Sequence, residues 1–179
     1  MSTQRSAGWQ RVHYTREGYA YCKNGCGTVC SHNKQALYCS AACRHEYSLR
    51  NFPAYARAEV WNRDRGVCAL CGVATEELAK RWSRMLHSGN TATYQQYLAE
   101  AREYGAGPGQ AHQSLWEMDH IVPVVEGGGQ CGLDNLRTLC FPCHRRVTRE
   151  LRRRLADARR SSSPPSAITL PLPLEALSG

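Results

Sequence analysis

Asp119-His120, Asn135 and His144 occur in that order within one short stretch of the chain. A Cys-x2-Cys pair lies on either side: Cys68 and Cys71 upstream, Cys140 and Cys143 downstream, with His144 directly after the last cysteine. These residue types suit metal-assisted hydrolysis of a phosphodiester. That reaction needs a nucleophilic water, a base to deprotonate it, and a cation at the phosphate and the leaving oxygen. A neutral imidazole serves as a base near pH 7, and a carboxylate beside it can hold a hard divalent ion. His120 and Asp119 offer that pair. His144 is the natural second metal ligand, and the Asn135 amide can hold the intervening loop and orient the backbone or ring of His120. The plainer reading makes Asp119 a turn cap beside a packed His120. Without the flanking cysteines it would be preferred.

The cysteines form two sets. Tetrahedral zinc takes four thiolates or imidazoles, and a Cys-x2-Cys turn presents two thiolates to one ion. Cys68, Cys71, Cys140 and Cys143 supply two such turns and are expected to bind one structural zinc. An N-terminal module offers Cys22-x3-Cys26 and Cys39-x3-Cys43, with Cys30, His32 and His45 nearby. Cys22, Cys26, Cys39 and Cys43 are favoured because they form two symmetric turns, with His45 or Cys30 as possible replacements for one of them. Cys131 has no partner in either set and reads as a buried or idle thiol.

Regular elements must hold these groups. Phe52-Pro53 opens a helix over 53–65, with Pro53 at its first position and Gly66 as the stop. Ala56, Val60 and Trp61 face a core, while Arg57, Arg63 and Arg65 face solvent or phosphate. Residues 73–113 are an insertion between the two halves of the second cysteine set. Leu78, Trp82, Met85 and Leu86, and then Tyr94, Tyr97, Leu98, Ala101 and Tyr104, recur at helical spacing, which predicts a helical hairpin. Thr75 is its expected N-cap, and Gly105 begins the segment that ends it. The tyrosine stripe fits a core better than a base-stacking face. Leu115–His120 reads as a strand. Strict alternation would send Asp119 and His120 to opposite faces, so the strand must end or bend there, and Pro123 fits a break. Gly127-Gly-Gly129 marks a flexible turn, and a second strand is expected near 136–139. A helix from Pro142 follows, with Val147, Leu151 and Leu155 on one face.

Composition sets the partner class. The chain has 179 residues, a formal net charge of +8, ten cysteines and only two phenylalanines. So few large apolar residues imply metal staples. The positive charge favours a polyanion, with nucleic acid ahead of an acidic membrane surface. Residues 145–160 carry eight arginines against Glu150 and Asp157. Arg145, Arg146, Arg149, Arg152, Arg153 and Arg154 are the expected phosphate contacts, although such a run can also be only a solvated face. No run of eighteen apolar residues predicts a membrane span. The polar start lacks the apolar segment of a secretory signal, so the cysteines are expected to be reduced in an intracellular setting, cytoplasmic or nuclear. No protein partner is specified. The expected organisation is a flexible N-terminus over 1–20, a zinc module over 21–47, a main domain over 53–160 and a disordered tail over 161–179.

The segments Trp116-Glu-Met-Asp-His-Ile-Val-Pro, Asp134-Asn-Leu-Arg-Thr-Leu-Cys and Pro142-Cys-His resemble the HNH nucleases of the ββα-metal superfamily, in their zinc-supported form. They also look like the HNH domain appended to some annealing helicases. Tyr38-Cys-Ser-x-x-Cys43 is similar to treble-clef and FCS-type zinc knuckles. The resemblance implies an α+β fold with a ββα-metal core stapled by a four-cysteine zinc site. It implies His120 as general base, Asp119 and His144 as ligands of Mg²⁺ or Mn²⁺, and Asn135 as the orienting residue. It further implies an endonuclease giving 5′-phosphate and 3′-hydroxyl products. The competing expectation is a non-catalytic zinc module that binds nucleic acid or protein. The main departure from the family pattern is the long insertion.

Overall fold

The computed structural model describes residues 11–107 and 114–162. It is an α+β chain of five helices and one two-stranded sheet among the described residues. Helices α1 (Ala41–Asn51) and α2 (Pro53–Asp64) precede the insertion, which holds α3 (Thr75–Leu86) and α4 (Thr91–Tyr104). Strand β1 (Trp116–His120), strand β2 (Leu136–Cys140) and helix α5 (Phe141–Ser162) follow. The strand, turn, strand, helix order is the one expected.

The two strands are antiparallel and in a single register from Trp116 opposite Cys140 to His120 opposite Leu136. Their ends coincide with the candidate site residues. β1 stops at His120, as the alternation argument requires, and β2 stops at the third cysteine of the zinc set. The sheet lies on α2. Ala56, Val60, Trp116 and Leu136 form a buried cluster with Leu49 of α1, and Trp61 stacks on Trp116 at 6.0 Å between ring centroids. Cys131 packs at the edge of this cluster.

Two of the arginines expected to face solvent or phosphate also make structural contacts. Arg57 lies over the Trp116 ring at 3.9 Å from its centroid and donates to Ser114 Oγ and the Trp116 carbonyl at 2.7 and 2.9 Å. Arg63 donates to the carbonyls of Leu133 and Leu136, both at 2.7 Å. Its neighbour Asp64 accepts from the Thr138 N–H at 3.1 Å. The Arg63 hydrogen bond holds the Asp64 carboxyl below its ordinary range despite partial burial. The end of α2 thus pins the loop before β2 and β2 itself. Arg65 closes α2 in the left-handed region, with φ 51°, ahead of Gly66.

The insertion is a helical hairpin with its own core. Trp82, Tyr97, Ala101 and Leu115 are buried, with Leu78, Met85, Leu98 and Tyr104 packed around them. The tyrosine stripe is therefore core. Tyr94, at 37% exposure, is its outward member. Trp82 donates its indole N–H to Glu100 at 3.0 Å. Thr75 is not the cap of α3. Ala74 holds that position, and Thr75 is the first helical residue, buried and donating its hydroxyl to the Gly66 carbonyl at 2.8 Å. Tertiary packing against Gly66 outweighs the local capping preference here. Residues 108–113 of the expected insertion lie outside the described residues.

Within the stretch read as flexible, Tyr14 bridges to the fully buried Ala20, and in the module that follows Tyr21 bridges to Val29. Residues 1–10 and most of the tail read as disordered lie outside the described residues. The chain separates into two compact units at His144. Beyond it, α5 exposes Arg145, Arg146, Arg149, Arg152, Arg153 and Arg154, with Val147, Leu151 and Leu155 half-buried. No helix among the described residues is long and apolar enough to cross a membrane.

Candidate metal centres and active site

Each expected zinc set comes together. The thiol sulfurs of Cys68, Cys71, Cys140 and Cys143 lie within 4.8 Å of one another, and so do those of Cys22, Cys26, Cys39 and Cys43. Sulfur pairs measure 3.6 Å for Cys71–Cys140, 3.6 Å for Cys26–Cys39 and 3.4 Å for Cys39–Cys43. Four sulfurs each about 2.3 Å from one zinc stand about 3.8 Å apart, whereas a disulfide needs about 2.05 Å. All ten cysteines are free. Both clusters therefore fit a tetrahedral cation. Cys30, the alternative ligand, is fully buried and outside the cluster, and burial pushes its thiol up. His32 and His45 also fall outside it. His45 is bonded to the Tyr55 hydroxyl at 2.8 Å through Nδ1.

Local backbone explains the clusters. Cys68 accepts at its carbonyl from Gly72 and donates its N–H to Val73, closing a tight turn that Gly72 completes at φ 73°. Ala69 donates to the Thr138 carbonyl at 2.9 Å, which brings this turn against β2 and its Cys140. Burial alone would raise the Cys68 thiol. Backbone N–H groups of Cys140, Cys71 and Leu70 nevertheless pull it down to about 6. Burial pushes Cys140 up. In the N-terminal set, Ser40 caps α1 by accepting from the Cys43 N–H at 3.1 Å. That explains the serine in the Cys39-Ser-x-x-Cys43 spacing: it starts the helix that presents the fourth sulfur. The Cys39 N–H points at the Cys22 sulfur at 3.4 Å.

The Asp119 carboxylate, only 13% exposed, lies between two basic groups. Arg137 donates to its Oδ2 from Nε at 2.9 Å and approaches from Nη2 at 2.8 Å, and His144 Nε2 stands 4.0 Å from its Oδ1. Two ligands each about 2.1 Å from one hard cation stand at most about 4.2 Å apart. Asp119 and His144 are thus within reach of one divalent ion. The backbone supplies this closeness: Asp119 ends β1, and the cysteine turn at Cys140 and Cys143 delivers His144 into the first turn of α5. Arg137 was not singled out from the sequence. The signal available was cross-strand pairing, since it sits directly opposite Asp119 in the sheet. Glu117 points elsewhere, forming a 3.6 Å ion pair with Arg57.

The His120 ring has no hydrogen-bond partner among the described residues. Asn135 acts on the loop that follows it. Its carbonyl accepts from the Ile121 N–H at 2.8 Å. Its side chain accepts from the Val122 N–H at 2.8 Å and donates to the carbonyls of Val122 and Gly128 at 3.2 and 3.1 Å. Asn135 thus holds the backbone one and two residues beyond His120. The glycine-rich turn is not slack. A Cβ on Gly128 would meet the Val122 carbonyl oxygen at 1.8 Å. Gly128→Ala is therefore expected to force the loop off Asn135, costing about 1–3 kcal/mol. Activity should fall while zinc content holds, and a melting curve with elemental analysis checks both.

Residues 108–150 match the family model described as HNH endonuclease. These residues thus form an HNH endonuclease domain. It is 38% identical over 133 residues to the DNA annealing helicase and endonuclease ZRANB3 of Mus musculus, covering 70% of this chain and 12% of that protein. The protein of the same name from Homo sapiens is also 38% identical over 133 residues, with the same shares covered. The chain thus spans 12% of the length of these relatives. The crystal structure of the human ZRANB3 HNH domain is 33% identical, covering 60% of this chain and 96% of that one, with a TM-score of 0.44. The HNH match takes in Asp119, His120, Asn135 and His144 together, and with them Cys140 and Cys143.

Proposed function

We propose that the chain is a metal-dependent endonuclease that hydrolyses phosphodiester bonds of DNA. The observation that carries this is the approach of Asp119 and His144 to 4.0 Å where β1 ends and α5 begins, with His120 adjacent. Asp119 and His144 would hold Mg²⁺ or Mn²⁺, which would offset charge at the phosphate and the leaving oxygen. His120 takes the proton of the attacking water on a ring nitrogen that no other described residue engages. The new bond joins water oxygen to phosphorus, and the phosphorus–O3′ bond breaks. The products carry a 5′-phosphate and a 3′-hydroxyl, the latter taking up a proton. Arg137 engages Oδ2 of Asp119 and so leaves Oδ1 facing His144. Asn135 sets the backbone beyond His120. Two structural zinc ions hold the thiolate clusters. The free state of all ten cysteines supports an intracellular setting, and the printed activity of the ZRANB3 relatives supports DNA over RNA.

The arginines from Arg145 to Arg154 bind phosphate. The experiment is plasmid nicking as a function of added Mg²⁺ or Mn²⁺, with binding measured beside it at several salt concentrations. Replacing Arg152, Arg153 and Arg154 by alanine is expected to lower the slope of log affinity against log salt by up to about 3, since each phosphate contact contributes about 0.9. An unchanged slope would show that this segment does not touch phosphate.

A further inference from the structure

Four of the five residues after His120 are large and apolar, and they stand in solvent. Ile121, Val122, Val124 and Val125 are 50, 46, 55 and 67% exposed. Such side chains are usually buried, and an exposed apolar group beside a reaction centre marks a contact surface. This one is also rigid. Asn135 fastens Ile121, Val122 and Gly128, a 3-10 turn winds Val124–Glu126, and the Gly127 and Gly128 N–H groups donate back to Val124 and Pro123. Ile and Val are themselves stiff at χ1. Little conformational freedom remains to be lost when a partner arrives.

The root of the loop identifies the partner. Ile121 directly follows His120, so a phosphate placed for attack at His120 brings its neighbouring nucleotides over the loop. Valine and isoleucine offer nothing to a phosphate, but they match the apolar faces of bases and sugars. Apolar side chains of this kind enter base steps and partly unstack them. We infer that residues 121–125 form an apolar wedge that opens the base stack beside the scissile phosphate, so that cleavage favours duplex steps that open easily. Mismatches and pyrimidine–purine steps are the chemical class selected. This inference rests on the nuclease reading above.

The test uses the full chain and short DNA duplexes carrying 2-aminopurine at successive positions, matched or mismatched, without added Mg²⁺. 2-Aminopurine fluorescence reports unstacking, and anisotropy of an end label reports binding independently. Val124→Thr with Val125→Thr keeps side-chain shape while making the loop polar, and Val125→Asp is a second variant. Wild-type protein is expected to raise 2-aminopurine fluorescence, most at mismatches. The threonine pair should lose most of that rise and weaken binding about tenfold. Both variants should keep the wild-type circular dichroism and zinc content. Binding without a fluorescence rise, or an equal rise with the threonine pair, overturns the wedge and leaves the nuclease reading standing. Anisotropy that responds to no nucleic acid overturns both.

Discussion

His120→Ala is expected to lower the cleavage rate by about 10² to 10⁴, the usual cost of removing a general base. Fold, zinc content and DNA affinity should stay near wild type, because the ring makes no hydrogen bond among the described residues and belongs to neither cysteine cluster. Asp119→Ala and His144→Ala should behave differently. They remove the two groups that face each other at 4.0 Å, so they should shift the metal titration rather than only its plateau. A metal titration of all three variants separates the roles. Rescue of His120→Ala by more Mg²⁺ would make His120 a ligand. If all three variants cleave as wild type does, the active site lies elsewhere and the assignment of these residues fails; a wild-type chain that binds DNA and does not cleave it would be a binding module built on an HNH frame.

Cys68→Ser should have the other large effect. Cys68 is 2% exposed and shares its cluster with Cys140, the last residue of β2, and Cys143, one residue before His144. A structural zinc contributes on the order of 10 kcal/mol in small modules, while whole domains are stable by about 5–15 kcal/mol. Losing it should therefore unfold the sheet and remove His144 from Asp119 together. Circular dichroism melts and zinc analysis are the measurements. Purified wild-type protein should hold two zinc ions per chain, and one or none would refute the two-site arrangement. Cys68→Ser protein that melts as wild type does would show that packing, rather than zinc, holds the core.

Much of this site was legible because its spacing is local. Each cysteine turn is a few residues long, and Asp119 and His120 are neighbours, so the residue pattern nearly equals the geometry. The helices of the insertion were legible for a similar reason, since their apolar period of 3.6 is written in a continuous window. The misreadings are all long-range. Arg57 and Arg63 look like surface cations until Trp116 and the carbonyls of Leu133 and Leu136 fold onto them. Arg137 becomes a partner of Asp119 only once the strand register is fixed. Thr75 has the chemistry of a cap but sits one residue too late, because a carbonyl nine residues back claims its hydroxyl. The Asn135 amide, by contrast, was expected to hold the loop, and its hydrogen bonds to Val122 and Gly128 lie there.

The hairpin of α3 and α4 lies wholly between the second and third members of one thiolate cluster, within residues 72–139. Topologically, a zinc held there would be a clasp and the hairpin a bight of rope drawn through it. The entropy of closing such a bight grows only with the logarithm of its length, about 0.6 kcal/mol for each doubling. The hairpin also packs around its own tryptophan, Trp82. Descendants of this chain could therefore lengthen, shorten or exchange that segment while the distance from Asp119 to His144 stayed fixed, making it the natural place for a new specificity to be grafted.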